Sequence, residues 1–178
     1  MLSAIIEGGA TVVGFDIVLP TSIAQSAVPF GDKPLGARVR GFDRDYLRAL
    51  ALGARAGKVV LGEVQHQDRP LLPSPGQRAA VGFTRNIRPL NVHTDADDVI
   101  RRVPMSFEVD GVKLPSMAAE LVGRAIEPTS NAVFARLPRQ TPDMLTLNFA
   151  GGADDIPTYS LADPTRISSS AISAAKSC

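Results

Sequence analysis

Tryptophan is absent from the 178 residues, aromatic side chains make up only 5%, and the one cysteine is the last residue, Cys178. With so few rings there are few stacking platforms for single-stranded nucleic acid or sugars, and the core has to be aliphatic. A lone cysteine excludes an intrachain disulfide and a cysteine metal cluster. Charge of one sign is missing too: nineteen Lys and Arg oppose eighteen Asp and Glu, a net +1, so no broad field attracts nucleic acid or an anionic membrane. No apolar run reaches the ~18 residues that cross a bilayer, and residues 1–10 lack the basic start and cleavage site of a signal peptide. The chain as it stands is expected to be soluble, and it could still be the extramembrane part of a larger membrane protein.

What is present is a chain with 44% hydrophobic and 21% charged residues, the balance of a single globular domain with a real core. Leu2 to Glu7 reads as the end of a helix closed by Gly8 and Gly9. Ala10 to Leu19, ATVVGFDIVL, is a dense apolar run of strand length, expected to be covered on both faces as in parallel sheets. Pro20 to Gly41 reads as a long connection. Asp43 or Asp45 can cap a helix with Leu47, Leu50, Ala51 and Ala54 on one face, ending at Gly57. Lys58 to Val64, KVVLGEV, is the next strand, and the β-loop-α-β order implies parallel pairing with the first.

Gln65 to Gln77, with Pro70, Pro73 and Pro75, reads as loop. Ala79 to Thr84 is expected as a short strand, Asn91 to Asp98 as an acidic turn, Val99 to Val109 as a half-buried strand, and Asp110 and Gly111 as a turn. Pro115 and Ser116 open a helix to about Ile126, which Pro128 stops. Ala132 to Ala135 and Met144 to Phe149 are further strand candidates. The fold class expected is α/β, a mixed, largely parallel central sheet flanked by helices, with residues 1–164 as the domain and the Ser-rich 165–178 as a tail or the start of a helix.

Asp16 stands inside the first apolar run, where a carboxylate is costly unless paired or hydrogen-bonded. It could face a ligand at the carboxyl end of a parallel strand; the heavier alternative is a structural acid that caps a loop or pairs with an arginine. Arg101 and Arg102 point to opposite faces of a strand. Arg101 is the candidate partner of Asp16 or of an anionic ligand, against the plainer expectation of an ion pair with the acidic turn. His66 with Asp68 and His93 with Asp95 form two His-x-Asp pairs, but a metal site needs about three or four ligands. Asp95, Asp97 and Asp98 lack the glycine and distal Glu of a calcium loop. There is no G-x-S-x-G elbow, no H-E-x-x-H and no dinucleotide-binding glycine pattern, and Gly36 to Gly41 is followed by Phe42 and Asp43 where a phosphate loop needs Lys and Ser or Thr. No catalytic residue, metal or cofactor is expected.

Three groups of segments resemble, in order, the CHASE2 family of extracytoplasmic sensory domains of bacterial receptors. They are GGATVVGFDIVLP (Gly8 to Pro20); VGFTRN (Val81 to Asn86) with DADDVIRRVPM (Asp95 to Met105); and LPSMAAELV (Leu114 to Val122) with LNFAGG and PTYSL between Leu147 and Leu161. Asp98 stands where the family usually has glycine, so the turn there is expected to be built differently. The family's opening segment and closing strand are not among these residues, so the domain is expected to be incomplete at both ends.

The resemblance implies an input domain that senses rather than catalyses, facing the periplasm of an inner-membrane protein. It implies membrane helices outside this chain, a homodimer, and a cytoplasmic output such as an adenylate or guanylate cyclase, a diguanylate cyclase or a protein kinase. The signal would be an unidentified small molecule or peptide, with no role for nucleic acid. The residues expected to meet it are Asp16 and, in the loops from Arg85 to Asp98 and just beyond, Arg85, Asn86, His93, Asp95 and Arg101. The rivals are an α/β enzyme using Asp16 and a histidine, which requires a pocket where they converge, and a ligandless dimerisation module without a sizeable pocket.

Overall fold

The computed structural model describes residues 1–66, 69–126 and 143–148, with residues 152, 158 and 160. Its centre is a parallel sheet of β1 (Val13–Phe15), β4 (Val59–Glu63) and β5 (Ile87–Pro89), in the order β1-β4-β5. Register places Val13 beside Val59 and Phe15 beside Leu61, then Leu61 beside Ile87 and Glu63 beside Pro89. The expected parallel pairing through a helical crossover is present, and the α/β class with a parallel sheet flanked by helices holds.

Strand alternation sorts the two faces. Val13, Phe15, Val59, Leu61 and Ile87 pack with Leu2 and Ile6 of α1 (Leu2–Glu7) and with Tyr46, Leu47 and Leu50 of α3 (Arg44–Arg55). A Cβ on Gly14 would instead come within 2.7 Å of Leu121 of α5 (Met117–Ala125), so α5 covers the opposite face. Gly53 lets α3 approach β4, since a Cβ there would lie 2.5 Å from Val59 Cγ2.

The strand buried along its whole length is β4, not the run that carries Asp16. β4 has a neighbouring strand on each side, whereas β1 is three residues long and has β4 as its only partner among the described residues. Asp16 and Ile17 lie beyond its end and are exposed. The segment expected as a bare connection, 20–41, contains a 3-10 turn (Ile23–Gln25), the hairpin of β2 (Pro29–Phe30) and β3 (Lys33–Pro34), and α2 (Leu35–Arg38). The Ser22 hydroxyl bonds the Asp43 carboxylate there, so Asp43 precedes α3 without capping it by its side chain.

Residues 79–84 are not a strand. Ser74 accepts a bond from Gln77 N and Pro75 takes the first helical position, where its missing N–H costs nothing, so α4 runs Pro75–Ala80. Gly82 follows in the left-handed region at φ +78, a 3-10 turn covers Phe83–Asn86, and the strand begins only at Ile87.

The single strand expected over 99–109 is two. β6 (Arg102–Pro104) pairs antiparallel with β9 (Met144–Thr146), and β7 (Ser106–Val109) pairs with β8 (Val112–Pro115). Met105 breaks the run: its N–H donates to Asp143 O and its carbonyl accepts from Ser116 N. Asp110 and Gly111, at φ +50 and +75, make the expected hairpin turn, as two-residue turns matched to strand twist require. Ser116 caps α5 by accepting from Ala119 N. The strand candidate 132–135, the far end of 144–149, the helix stop at Pro128 and the tail 165–178 lie outside the described residues. No described helix is long and apolar enough to cross a membrane.

Candidate functional site

The six residues expected to meet a signal do not converge. Asp16 borders a hollow of about 240 Å³ whose other lining residues include Leu90, Val103, Met117 and Leu121, with no histidine or arginine among the described residues. The costly buried carboxylate is therefore not at this position, because β1 ends before it. Arg101 pairs elsewhere: its guanidinium spans both oxygens of Asp97 at 2.8 and 2.7 Å and reaches Asp95 at 3.1 Å, and Arg102 takes the other Asp95 oxygen. Hydrogen bonds from Arg102 and Arg101 hold the Asp95 carboxyl below its usual range, and Arg101 does the same to Asp97. This is the ion pair with the acidic turn, not a partner for Asp16.

Asp98 adopts φ +60, the left-handed conformation that glycine takes freely and that Asp tolerates better than most residues. The turn is closed by Asp98 N donating to Asp95 O at 3.0 Å. Asn86 is buried and committed: its Nδ2 donates to Val81 O at 2.7 Å and its Oδ1 accepts from Arg124 Nη2 at 2.9 Å. Arg85 is exposed beside a separate hollow next to Ala51 and Arg55. His93 is exposed, pairs through its backbone with Arg102, and has its ring 6.5 Å from Phe107. Asp68, the partner expected for His66, lies outside the described residues. Among the described residues no group of three or more His, Cys, Asp or Glu side chains could hold a metal.

A cleft of about 370 Å³ opens instead at the carboxyl end of β4, where parallel sheets place their sites. Glu63, Gln65, His66, Arg78 and Asp110 supply its polar groups, and Leu72, Phe83, Ile87 and Leu114 are among its apolar walls. Larger hollows of about 460 and 400 Å³ exist under residues 20–35 and on the β7–β8 pair. The first has no ionisable lining residue among the described residues. In the second, Lys113 and Asp143 pair at 2.6 Å and the remaining acid, Glu108, is exposed. The cleft is where a buried carboxylate, Glu63, and a buried, unmet arginine nitrogen, on Arg78, border one space, so it is the better candidate.

Glu63, the last residue of β4, is 8% exposed. Burial pushes its carboxyl up from the usual range and the Asp110 charge adds to this, while the Gln65 bond and the Arg88 charge act the other way. Its Oε1 accepts from Gln65 Nε2 at 2.6 Å. Asn91 in turn clamps the Gln65 backbone, accepting from its N–H and donating to its carbonyl, both at 2.7 Å. Arg78, on α4, has a buried Nε with no acceptor among the described residues. An unmet buried donor costs about 1–3 kcal/mol.

Behind the cleft runs a paired network. Arg88 of β5 donates to Glu120 of α5 at 2.9 Å and to the Thr84 and Ile87 carbonyls. Arg124 donates to the other Glu120 oxygen at 2.7 Å, to the Gly57 and Val59 carbonyls, and to Asn86. Burial alone would raise the Glu120 carboxyl, but the bonds and charges of Arg124 and Arg88 outweigh it and hold the group below its usual range. The network ties α5 to the sheet edge beside Glu63.

Sequence reasoning passed over Glu63, Arg78 and Gln65. The signal for Glu63 was the one followed at Asp16, an acid within an apolar strand run, here KVVLGEV. Arg78 carried no such signal, because its place in the cleft depends on how α4 packs. The family model of the CHASE2 domain matches residues 1–175. No curated protein and no solved structure matches the chain.

Proposed function

The chain belongs to the CHASE2 family, whose members are extracytoplasmic sensory domains of receptors, and from that premise we propose that it holds its signal in the cleft at the carboxyl end of β4. The observation that carries this reading is the coexistence in one cleft of a buried acid, Glu63, and a buried arginine nitrogen, on Arg78, which among the described residues have no ion pair and no acceptor respectively. Such groups are costly in an empty protein and useful in a liganded one. The enzyme alternative required Asp16 and a histidine to share a pocket, and neither histidine borders the hollow at Asp16. A ligandless module is disfavoured by a cleft far larger than a few waters.

The proposed setting is a bacterial inner-membrane receptor with this domain in the periplasm, anchored by helices outside the chain. It works as a homodimer and regulates a cytoplasmic output, with an adenylate or guanylate cyclase as the first choice and a diguanylate cyclase or protein kinase as alternatives. A ligand acts by binding one of two arrangements better than the other. The route to the rest of the receptor starts at Glu63, whose neighbour Arg88 is bonded to Glu120 of α5. Alkaline phosphatase joined after Cys178 in the full-length receptor tests the setting, since the enzyme matures only outside the cytoplasm. Phosphatase activity is expected; an inactive fusion of normal abundance would overturn the placement.

A further inference from the structure

The cleft beside Glu63 also restricts the chemistry of its occupant. Glu63 is almost fully buried, with one oxygen held by Gln65 and no salt bridge among the described residues. The nearby Arg88 is not free to neutralise it, being bonded to Glu120 and two carbonyls. Arg78 has no carboxylate partner among the described residues, and its Nε lacks an acceptor. A cationic ligand would satisfy Glu63 and leave Arg78 unmet; an anionic one would do the reverse. A molecule with both charges satisfies both groups at once, and with the stronger, charge-assisted bonds. The remaining walls, Leu72, Phe83, Ile87 and Leu114, are apolar, and about 370 Å³ suits a small molecule rather than a long peptide.

We infer that the cleft takes a small zwitterion of the apolar amino-acid type, its ammonium against Glu63, its carboxylate against Arg78 and its side group against Leu72, Phe83 and Leu114. This rests on the reading of the cleft as the signal site. His66 and Asp110 stand at the same cleft and add one acceptor or donor each at its margin.

Calorimetric titration of the full 178-residue chain with L-leucine tests the inference, alongside 3-methylbutylamine, which lacks the carboxylate, and 4-methylpentanoate, which lacks the ammonium. L-Leucine is expected to bind saturably, and each half-molecule about tenfold or more weaker, the weight of one charged hydrogen bond. Glu63→Gln and Arg78→Gln should each weaken L-leucine by a similar factor while cooperative unfolding is retained, and Arg78→Lys should restore part of the loss. Amide shifts of the unaltered chain, which need no variant, should move at Gln65, Arg78 and Thr84.

Absence of saturable L-leucine binding overturns the inference. If either half-molecule binds as tightly as L-leucine and moves those amides, the cleft stands as the site and the zwitterion class falls. If L-leucine binds but moves other amides, or ignores both variants, the reading of the cleft itself falls.

Discussion

Replacing Glu120 with alanine strands two arginines that the fold has taken out of water. The side chains of Arg88, Glu120 and Arg124 are 11%, 14% and 19% exposed, and among the described residues the Glu120 carboxylate is the one acid bonded to both guanidinium groups. Breaking a buried ion pair by removing one partner costs about 3–5 kcal/mol, because the remaining charge stays desolvated. Here the lower end applies, since Arg88 keeps the Thr84 and Ile87 carbonyls, and Arg124 keeps Gly57, Val59 and Asn86. A loss of about 3 kcal/mol in a domain of this size lowers the melting temperature by roughly 6–12 °C.

Urea unfolding followed by circular dichroism should show the midpoint fall with an unchanged slope. Lys113→Ala is the control. It removes a contact as short, 2.6 Å to Asp143, but between side chains 68% and 76% exposed, where solvent screening leaves little net stabilisation. A shift in Glu120→Ala under about 1 kcal/mol, or one no larger than in Lys113→Ala, would refute burial as the source of the network's strength.

Gly62→Ala should destabilise by about 1–3 kcal/mol, because the new Cβ would lie 2.3 Å from Leu90 Cδ1 and 2.9 Å from the Phe15 carbonyl; an unchanged urea midpoint would contradict that packing. Ser116→Ala removes the α5 cap, a 3.2 Å bond from Ala119 N, and should cost about 1 kcal/mol in the same assay. In acid, Asp95, Asp97, Asp143 and Glu120 share one sign: their folded carboxyls titrate below the usual 3.8 or 4.5. Their stabilisation is present above those values and lost as pH falls through the folded ones, so thermal scans should show the melting temperature dropping below about pH 4. Glu63 has the opposite sign. Its folded carboxyl titrates above 4.5, so its contribution is full below that pH and lost as pH rises through the folded value. Glu63→Gln should therefore melt higher than the unaltered chain at pH 7 and level with it near pH 4; a gap independent of pH would show that Glu63 is not destabilised by burial.

Part of this fold was legible because the deciding forces are local. The α3 face, the parallel pairing of β1 with β4, the Asp110–Gly111 hairpin turn and the Ser116 start of α5 follow from side-chain spacing and from backbone conformations that few residues adopt. The same local cues also misled. Ala79 to Thr84 looked like a strand because its residues are apolar, while the capping Ser74 and Pro75 that make the helix sit in a stretch read as loop. Val99 to Val109 alternates enough to read as one strand, yet Met105 gives its backbone bonds to Asp143 and Ser116, outside that segment.

By itself the sequence determined the α/β class, the family to which the chain belongs, and the presence of an acid in each of two apolar strand runs, at Asp16 and Glu63. Which acid is buried was decided only by tertiary structure. Among the described residues, strand order puts β4 between β1 and β5, and β4 runs on through Glu63 with a neighbour on each side, whereas β1 ends at Phe15 and leaves Asp16 beyond the sheet. The meeting of Glu63 with Arg78 was likewise invisible, because α4 reaches the end of β4 through packing and no fixed spacing along the chain encodes it.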